Sequence, residues 1–435
     1  MSVLLSMLAA TILTNAWIVD GTGRDAYVGW VEVDGDRIVA TGEGPRDVSG
    51  AIDLSGKTLL PGLTDMHVHL GELGQAKWML KLLLAHGVTN VKDAGNRLGN
   101  LAGIRSWLRD ETAVPHVFIS GVTMNGSFSD LAFLKSGSET QRLLDDNLAF
   151  GVDFLKIHNW VSSQALGQIA EFAQTHDLYL TGHVPLGMTS IAALDAGMKI
   201  LEHVRMRPSE VLDDPEMVAR YPLDLIVSRR TLFWAFLDPD GRVVNQTLDA
   251  WSRRDFFFDP TLVVAESTTA GEKNAPGLEL VSKKTLTDWR ENVHRYGDDH
   301  EDVRRYGDQR VIGMARFVGM AHRKGVKVLT GTDTPVLWVV PGVSLHRELE
   351  LLVELSGLSP VEAIHASTGV ASEALRSPDR GTIAQGQRAD LVIVRGNVAE
   401  RIQAVQDVER VMLGGFFYER EALLEEAARL AAEHR

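Results

Sequence analysis

Short apolar segments alternate with helical segments between residues 63 and 333, and this repetition limits the folds open to the chain. Eight strand candidates cover residues 63–70, 88–95, 114–121, 152–158, 178–184, 199–204, 258–264 and 326–333. Residues with helical spacing of apolar side chains separate most of them, as in 166–176 and 314–325. Alternating strands and helices predict a parallel sheet, and eight repeats over about 270 residues fit an α/β fold of the (β/α)8 TIM barrel type. The chemistry of such a barrel lies at the carboxyl ends of its strands.

The two ends of the chain carry a different pattern. Short runs of β-forming residues lie between Gly and Asp in residues 1–60 and again in residues 381–435. We expect these two segments to form one small β-sandwich domain beside a barrel at residues 61–380, with a terminal helix over Glu421–Arg435. The less regular stretch Asp213–Lys284 is expected to carry loops that cover the site.

Composition excludes several kinds of site and partner. The 435 residues include no cysteine, so a metal would be held by nitrogen and oxygen ligands only. The net charge of −14 opposes binding to nucleic acid or to an anionic membrane surface. The first ten residues lack the basic residues of a signal peptide, so we expect a cytoplasmic protein that acts on a small molecule. We further expect a homo-oligomer.

The strongest local signal is the segment LLPGLTDMHVHLG. His67 and His69 stand two residues apart on the first barrel strand, so their side chains point the same way, which can be inward to a shared metal. An HxH pair can also be two strand histidines that face a polar loop, because short motifs recur by chance. Its position behind a Pro-Gly turn, at the end of a strand, favours the metal.

Lys156 lies near the carboxyl end of the fourth strand, with His158 on the same face. An inward lysine is costly unless it is paired, although the residue could also be an exposed edge lysine. A lysine amine that has reacted with carbon dioxide becomes a carbamate, which is an anionic oxygen donor able to hold two cations.

Three further candidates end later strands: His183 on the fifth, His203 on the sixth and Asp333 on the eighth. The carboxylate of Asp333 could bind a metal and also accept a proton. The complete set suits two divalent ions, with Zn²⁺ the best match. Two ions would be bridged by the Lys156 carbamate and a hydroxide.

The other histidines carry weaker signals. Three of them stand close to the ends of helices that precede strands, where a cation complements the helix dipole: His86, His176 and His322. Five have no motif around them: His116, His294, His300, His365 and His434. His346 follows a loop on the catalytic side of the predicted barrel, so it could line a substrate pocket.

The chain resembles the amidohydrolase superfamily, and in particular its prolidase-like and imidazolonepropionase-like branch. The matching segments are PGLTDMHVHLG, VDFLKI, LTGHVPLGMTSIAALDAGMKILEHV, LTGTDTP, SLHRELELLVELSGLSPVEAIHAST and GTIAQGQRADLVIV. The resemblance implies that His67, His69 and Asp333 bind the more buried metal and that His183 and His203 bind the second. It also implies that carbamylated Lys156 bridges the two and that Asp333 passes the proton of the bridging hydroxide to the leaving amine.

Two positions depart from the family pattern. His158 stands where many relatives have a tyrosine near the substrate carbonyl, so we predict that it binds substrate and donates a hydrogen bond in catalysis. The alternative is a histidine that hydrogen-bonds a loop and only shapes the pocket. The loop after the third strand has Asn125 and Ser127 where many relatives have Gly-Gly-His. Recognition of the substrate therefore does not carry over from typical prolidase-like members.

The favoured function is hydrolysis of an amide bond in a dipeptide or an N-acyl amino acid. The same site could instead attack a cyclic amide, a lactone or an organophosphate ester. A scaffold without catalytic activity is the third hypothesis, and the complete set of six ligand positions argues against it.

Overall fold

A computed structural model of the chain describes residues 10–127, 132–220, 232–296 and 301–434. His300, Arg435 and part of the segment 213–284 lie outside these ranges, and the side chain of His294 is outside the description as well. Within the described ranges, no helix has both the length and the apolar character that crossing a membrane requires.

Strands from both ends of the chain meet in one sheet. These strands are β1 (Thr11–Ile18), β2 (Tyr27–Asp34), β3 (Arg37–Glu43), β4 (Ile52–Asp53), β5 (Lys57–Pro61), and then, after the other strands, β14 (Leu391–Arg395), β15 (Val408–Leu413) and β16 (Phe416–Glu419). Their order is β16-β15-β14-β5-β1-β2-β3, with β4 beside β1. Because β5 pairs with β1 on one side and with β14 on the other, the two ends form one connected eight-stranded sheet where the sequence predicted a sandwich.

The middle of the chain forms two parallel sheets. The strands are β6 (Leu63–Val68), β7 (Val88–Asp93), β8 (His116–Ile119), β9 (Leu155–Ile157), β10 (Leu180–Gly182), β11 (Met198–Glu202), β12 (Phe257–Asp259) and β13 (Lys327–Val328). One sheet has the order β6-β7-β8 and the other the order β13-β12-β11-β10-β9, with parallel pairing throughout. Isolated parallel bridges connect Val68 to Thr334 and Met124 to Ile157, so each edge of one sheet contacts an edge of the other.

Helices follow most of the parallel strands. They are α1 (Leu73–Ala85), α2 (Leu98–Leu108), α3 (Ser138–Phe150), α4 (Ser163–Thr175), α5 (Ser190–Asp195), α6 (Pro215–Arg220), α7 (Arg242–Trp251), α8 (Leu262–Ala270), α9 (Lys283–Tyr296), α10 (Glu301–Arg323), α11 (Val343–Glu354), α12 (Pro360–Ser367), α13 (Gly369–Ala374) and α14 (Arg420–Glu433). Side chains cap several starts: Ser162 accepts a hydrogen bond from the third residue of α4, and Ser359 and Glu362 form a capping box on α12. The predicted terminal helix is thus α14.

The predicted seventh strand is wrong in its second half, because residues 262–264 begin α8. Pro260 cannot donate to a strand ladder, and Thr261 has a left-handed backbone with φ of 48°. The carboxylate of Glu348, from α11, then accepts hydrogen bonds from the amides of Leu262 and Val263 and stabilises the helix start. This partner lies 86 residues away from Leu262 in the chain.

Candidate metal centre

All six side chains that the sequence identified as metal ligands meet at the carboxyl ends of the parallel strands. His67 is in β6 and His69 follows it, Lys156 is in β9, His183 follows β10, His203 follows β11 and Asp333 follows β13. Because parallel strands bring their carboxyl ends to one edge, residues far apart in the chain become neighbours there.

Asp333 lies at the centre of this group. One carboxylate oxygen, Oδ1, is 3.0 Å from Nε2 of His69 and 3.4 Å from Nε2 of His67. The other, Oδ2, is 3.9 Å from Nε2 of His203. The ring centroids of His183 and His203 are 4.7 Å apart, and Nζ of Lys156 is 3.5 Å from Nε2 of His67.

Three of the four imidazoles are held at Nδ1 by an oxygen atom, so that Nε2 is left for the centre. Nδ1 of His183 is 2.9 Å from Oδ1 of Asn159, and Nδ1 of His203 is 2.7 Å from Oγ1 of Thr261. Nδ1 of His69 is 3.4 Å from the carbonyl oxygen of Gly95. Metal-binding histidines usually donate their second N–H in this way, which fixes the tautomer and the ring orientation.

The protonation states of three of the four imidazoles and of the carboxylate suit a cation. Burial alone would lower the pKa of His69, but the hydrogen bond with Asp333 and the charge of Asp333 raise it. Burial lowers the pKa of His67 and of His183 well below the ordinary value, and lowers the pKa of His203 to about 3, so these rings are neutral at pH 7. Burial by itself raises the pKa of Asp333, but the hydrogen bond with His69 and the nearby ring of His203 bring it below its ordinary value. Neutral imidazoles and an ionised carboxylate are the forms that bind divalent metals.

A buried carboxylate that the sequence analysis missed, Glu202, lies beside the six. Its Oε1 accepts hydrogen bonds from Nζ of Lys92 and from Oγ1 of Thr181, each at 2.6 Å. Its Oε2 is in contact with Nζ of Lys156. Burial alone raises the pKa of Glu202, but the two ammonium groups outweigh burial and hold it far below the ordinary value. Burial lowers the pKa of Lys156, although the charge of Glu202 acts in the opposite direction.

Glu202 was missed because neighbouring residues of a regular strand point to opposite faces. The backbone at His203 has φ of 62°, in the left-handed region, and this turn lets Glu202 and His203 face the same centre. Two clusters have ligand atoms within 4.8 Å of one another, namely His67 with His203 and Asp333, and His183 with Glu202 and His203. The backbone of Asp333 also has φ of 62°. Such left-handed residues cost about 1–3 kcal/mol each and concentrate at functional sites.

His158 lies just after β9, beside the candidate metal ligands. Its ring centroid is 4.1 Å from that of His183. The side chain is half-buried, and its Nδ1 has no hydrogen-bond partner in the described part of the chain. Burial lowers the pKa of His158 to about 3, so the ring is neutral at pH 7 and can donate one N–H.

The structure does not bring His346 to this site. The residue lies in α11, is buried, and its Nε2 is 2.8 Å from the carbonyl oxygen of His86 at the end of α1. The two rings pack against each other with centroids 5.6 Å apart. A buried helix position that faces α1 gives no access to a substrate, so the predicted pocket role does not fit this geometry.

The sequence profile of the amidohydrolase family matches residues 58–416, which is most of the chain. The chain belongs to the amidohydrolase family. This match confirms the resemblance at the level of the amidohydrolase family, and it covers the six candidate ligands together with the strands and loops that carry them.

Curated relatives match this amidohydrolase over shorter segments. Imidazolonepropionase of Pyrobaculum arsenaticum is 43% identical over 72 residues, which are 16% of this chain and 18% of the relative. Ochratoxinase of Aspergillus niger is 34% identical over 93 residues, which are 21% of this chain and 18% of the relative. The chain thus spans less than a fifth of the length of these two relatives.

Solved structures match over nearly the whole chain. A Xaa-Pro dipeptidase with bound methionine has a TM-score of 0.69 and 20% identity, with 94% of this chain and 100% of that chain covered. Bottromycin amidohydrolase has a TM-score of 0.71 and 21% identity, with coverage of 97% and 91%. At these identities the similarity establishes a shared fold.

Proposed function

We propose that this amidohydrolase is a metal-dependent enzyme that hydrolyses an amide bond of a small substrate, such as a dipeptide or an N-acyl amino acid. The observation that carries the proposal is the convergence of His67, His69, Lys156, His183, His203 and Asp333 at one edge of the parallel strands. Family membership and the names of the relatives agree with amide hydrolysis.

The donor set fits two divalent ions. Neutral imidazole nitrogens and a carboxylate suit Zn²⁺, and the protein offers no thiolate to compete. His67, His69 and Asp333 would hold one ion, and His183 and His203 the other. The ions would supply Lewis acidity and a water molecule of lowered pKa at neutral pH.

Lys156 would join the two ions as a carbamate. Formation of a carbamate requires the neutral amine, and burial lowers the pKa of Lys156 in that direction. Its present contact, Glu202, would keep the hydrogen bonds from Lys92 and Thr181 after the ammonium charge is lost. Because the carbamate is itself an anion beside Glu202, the two metal ions would have to offset its charge.

Two side chains of the protein would carry out the remaining steps, which are proton transfer and stabilisation of the substrate oxygen. Asp333 would accept a proton at the carboxylate oxygen that faces His69 and later deliver it to the leaving amine. His158 would donate a hydrogen bond from its ring to the carbonyl oxygen of the substrate, where charge develops. His158 is suited to this because its ring lies next to His183 at the mouth of the site.

The architecture proposed for this chemistry is a closed (β/α)8 barrel over residues 61–380, beside a small β domain made by residues 1–60 and 381–435. The bridges from Val68 to Thr334 and from Met124 to Ile157 support closure, since they connect the two parallel sheets at both edges. A cytoplasmic location and a homo-oligomeric assembly stay predictions.

The test is a hydrolysis screen on purified protein of measured metal content. The substrates are a library of dipeptides and N-acyl amino acids, with cyclic amides, lactones and organophosphate esters as separate arms. We expect about two metal ions per chain, turnover in the dipeptide or N-acyl arm, and loss of turnover after chelation that zinc restores. Turnover confined to another arm, or a fully active metal-free protein, would contradict the proposal.

A further inference from the structure

His67 differs from the other three candidate histidine ligands at Nδ1. The rings of His69, His183 and His203 each place Nδ1 within 3.4 Å of an oxygen atom. Nδ1 of His67 is fully buried and has no hydrogen-bond partner among the described residues. A buried N–H without a partner costs about 1–3 kcal/mol. We therefore expect a nearby acceptor to form a hydrogen bond with it after a small shift of the side chains.

Two carboxylates stand at almost equal distance from this atom. Oε2 of Glu202 is 3.6 Å away and Oδ2 of Asp259 is 3.7 Å away. Distance alone does not distinguish them, but their other contacts do. Both oxygens of Glu202 are already engaged, by Lys92, Thr181 and Lys156. Both oxygens of Asp259 are buried and lack a hydrogen-bond partner within the described ranges.

We propose that Asp259 is a positioning residue for His67, which accepts the Nδ1 proton and thereby fixes Nε2 as the atom that faces the metal. The proposal rests on the metal-dependent function proposed above. It does not depend on the ionisation of Asp259, because a neutral carboxyl group still has a carbonyl oxygen that accepts a hydrogen bond.

The local backbone holds Asp259 in this place. Asp259 ends β12, where it pairs in register with Glu202, and its carbonyl oxygen accepts a hydrogen bond from the amide of His203 at 2.7 Å. Gly331 provides the room: a Cβ atom there would lie 2.5 Å from Oδ2 of Asp259 and 2.8 Å from Cβ of His67. A larger residue would force Asp259 and His67 apart.

The experiment compares three variants of the full-length protein with the parent. Asp259→Leu fills the space without an acceptor, whereas Asp259→Asn keeps one carbonyl oxygen. Glu348→Gln is the matched control, since Glu348 is equally buried and contacts the amides of Leu262 and Val263 instead of a histidine. The protein is stripped with a chelator, and the Kd for zinc alone is measured by chelator competition.

We expect Asp259→Leu to raise the zinc Kd by about 10–100-fold, the range found when such partners of metal ligands are removed. Asp259→Asn should raise it less, and Glu348→Gln should leave it unchanged even where thermal unfolding shows a loss of stability. An unchanged Kd in Asp259→Leu, or an equal rise in Glu348→Gln, overturns the proposal.

A second measurement separates this proposal from the proposed function. In the metal-free parent, ¹⁵N spectra of labelled histidine should report the Nδ1–H tautomer for His67, and Asp259→Leu should lose it. A parent that binds no zinc but shows this change contradicts the metal-dependent function alone. A parent that binds zinc, with the same His67 tautomer in both proteins, overturns the role of Asp259 alone.

Discussion

Lys92 and Glu202 form an ion pair of 2.6 Å in which neither side chain is exposed to solvent. Lys156 contacts the same carboxylate, so one anion faces two ammonium groups beneath the candidate metal centre. Nζ of Lys92 also donates to the carbonyl oxygen of Met66, the residue before His67. The pair therefore connects β7 with β6 and β11, two strands that carry candidate ligands, and its two members do not contribute equally.

Glu202→Gln should destabilise the metal-free protein more than Lys92→Met does. The first change leaves two buried ammonium groups with a neutral amide, and breaking such a pair costs about 3–5 kcal/mol. After the second change, Glu202 still has Lys156 and Thr181 as partners. Denaturant unfolding of the two variants and the parent measures the difference. Equal decreases in the free energy of unfolding would show that Lys156 does not form an ion pair with Glu202.

Lys156→Ala should lose most of the bound metal and most of the activity. The change removes the only side chain proposed to join the two ions, while the four histidines and Asp333 remain. Short carboxylic acids such as acetate should restore part of both, because their carboxylate can occupy the place of the carbamate. Metal analysis and turnover with and without the acid test this. Full activity without rescue would rule out a bridging role.

Asp333→Asn should lower kcat by at least about 100-fold, the contribution expected of a general base. The amide keeps the shape and one oxygen atom near His69 but cannot accept a proton. Metal content must be measured in the same preparation, because Asp333 is also a proposed ligand. If kcat is nearly unchanged while metal is retained, the proton passes through another group.

His158→Ala should lower kcat by about 10²–10³-fold, as expected when one donor to a developing oxyanion is removed. His158→Tyr places a hydroxyl donor at the same position and should recover part of the loss. Steady-state kinetics on the best substrate of the screen separates the effects on kcat and KM. A change in KM alone would reduce His158 to a residue that lines the pocket.

His86 and His346 should make the protein sensitive to acid. Burial lowers the pKa of His86 to about 4 and that of His346 to about 3, with the charge of Arg420 acting in the same direction. In the unfolded chain both rings bind protons near pH 6.5, about the ordinary value. The unfolded state therefore binds more protons between pH 6.5 and 4, so stability is complete above pH 6.5 and falls as the pH decreases.

His346→Gln tests this, because its amide can still donate to the carbonyl oxygen of His86 while the titrating ring is gone. The free energy of unfolding should then fall less steeply between pH 6.5 and 4, by up to about 1.4 kcal/mol per pH unit. KM should not change, because His346 lies against α1. If KM changes while the pH dependence of stability stays the same, His346 would instead line the substrate pocket.

Much of the candidate site could be predicted because each residue is indicated by the few residues next to it in the sequence. A histidine, lysine or aspartate at the end of an apolar strand is visible in the sequence of that strand, and this reasoning predicts His67, Lys156 and Asp333 as candidates. Parallel pairing then brings those ends together without further information. The same reasoning found His158, whose place follows from Lys156 by strand alternation.

The residues that could not be predicted depend on contacts between distant segments. Glu202 faces the centre because His203 takes a left-handed conformation, which interrupts the alternation that sequence reasoning assumes. Asp259 becomes a neighbour of His67 through the register of β12 against β11. The start of α8 depends on Glu348, which lies in α11. A single sequence contains the residues but not these pairings.

The left-handed backbone at His203 and Asp333 restricts how this protein can be engineered. Glycine and asparagine adopt that conformation more readily than other residues, so either substitution would relieve strain at these positions. A library screened for heat resistance alone would therefore enrich replacements of two proposed ligands and return robust proteins with weakened metal binding. Thermostabilisation of this chain should hold both codons fixed and randomise elsewhere.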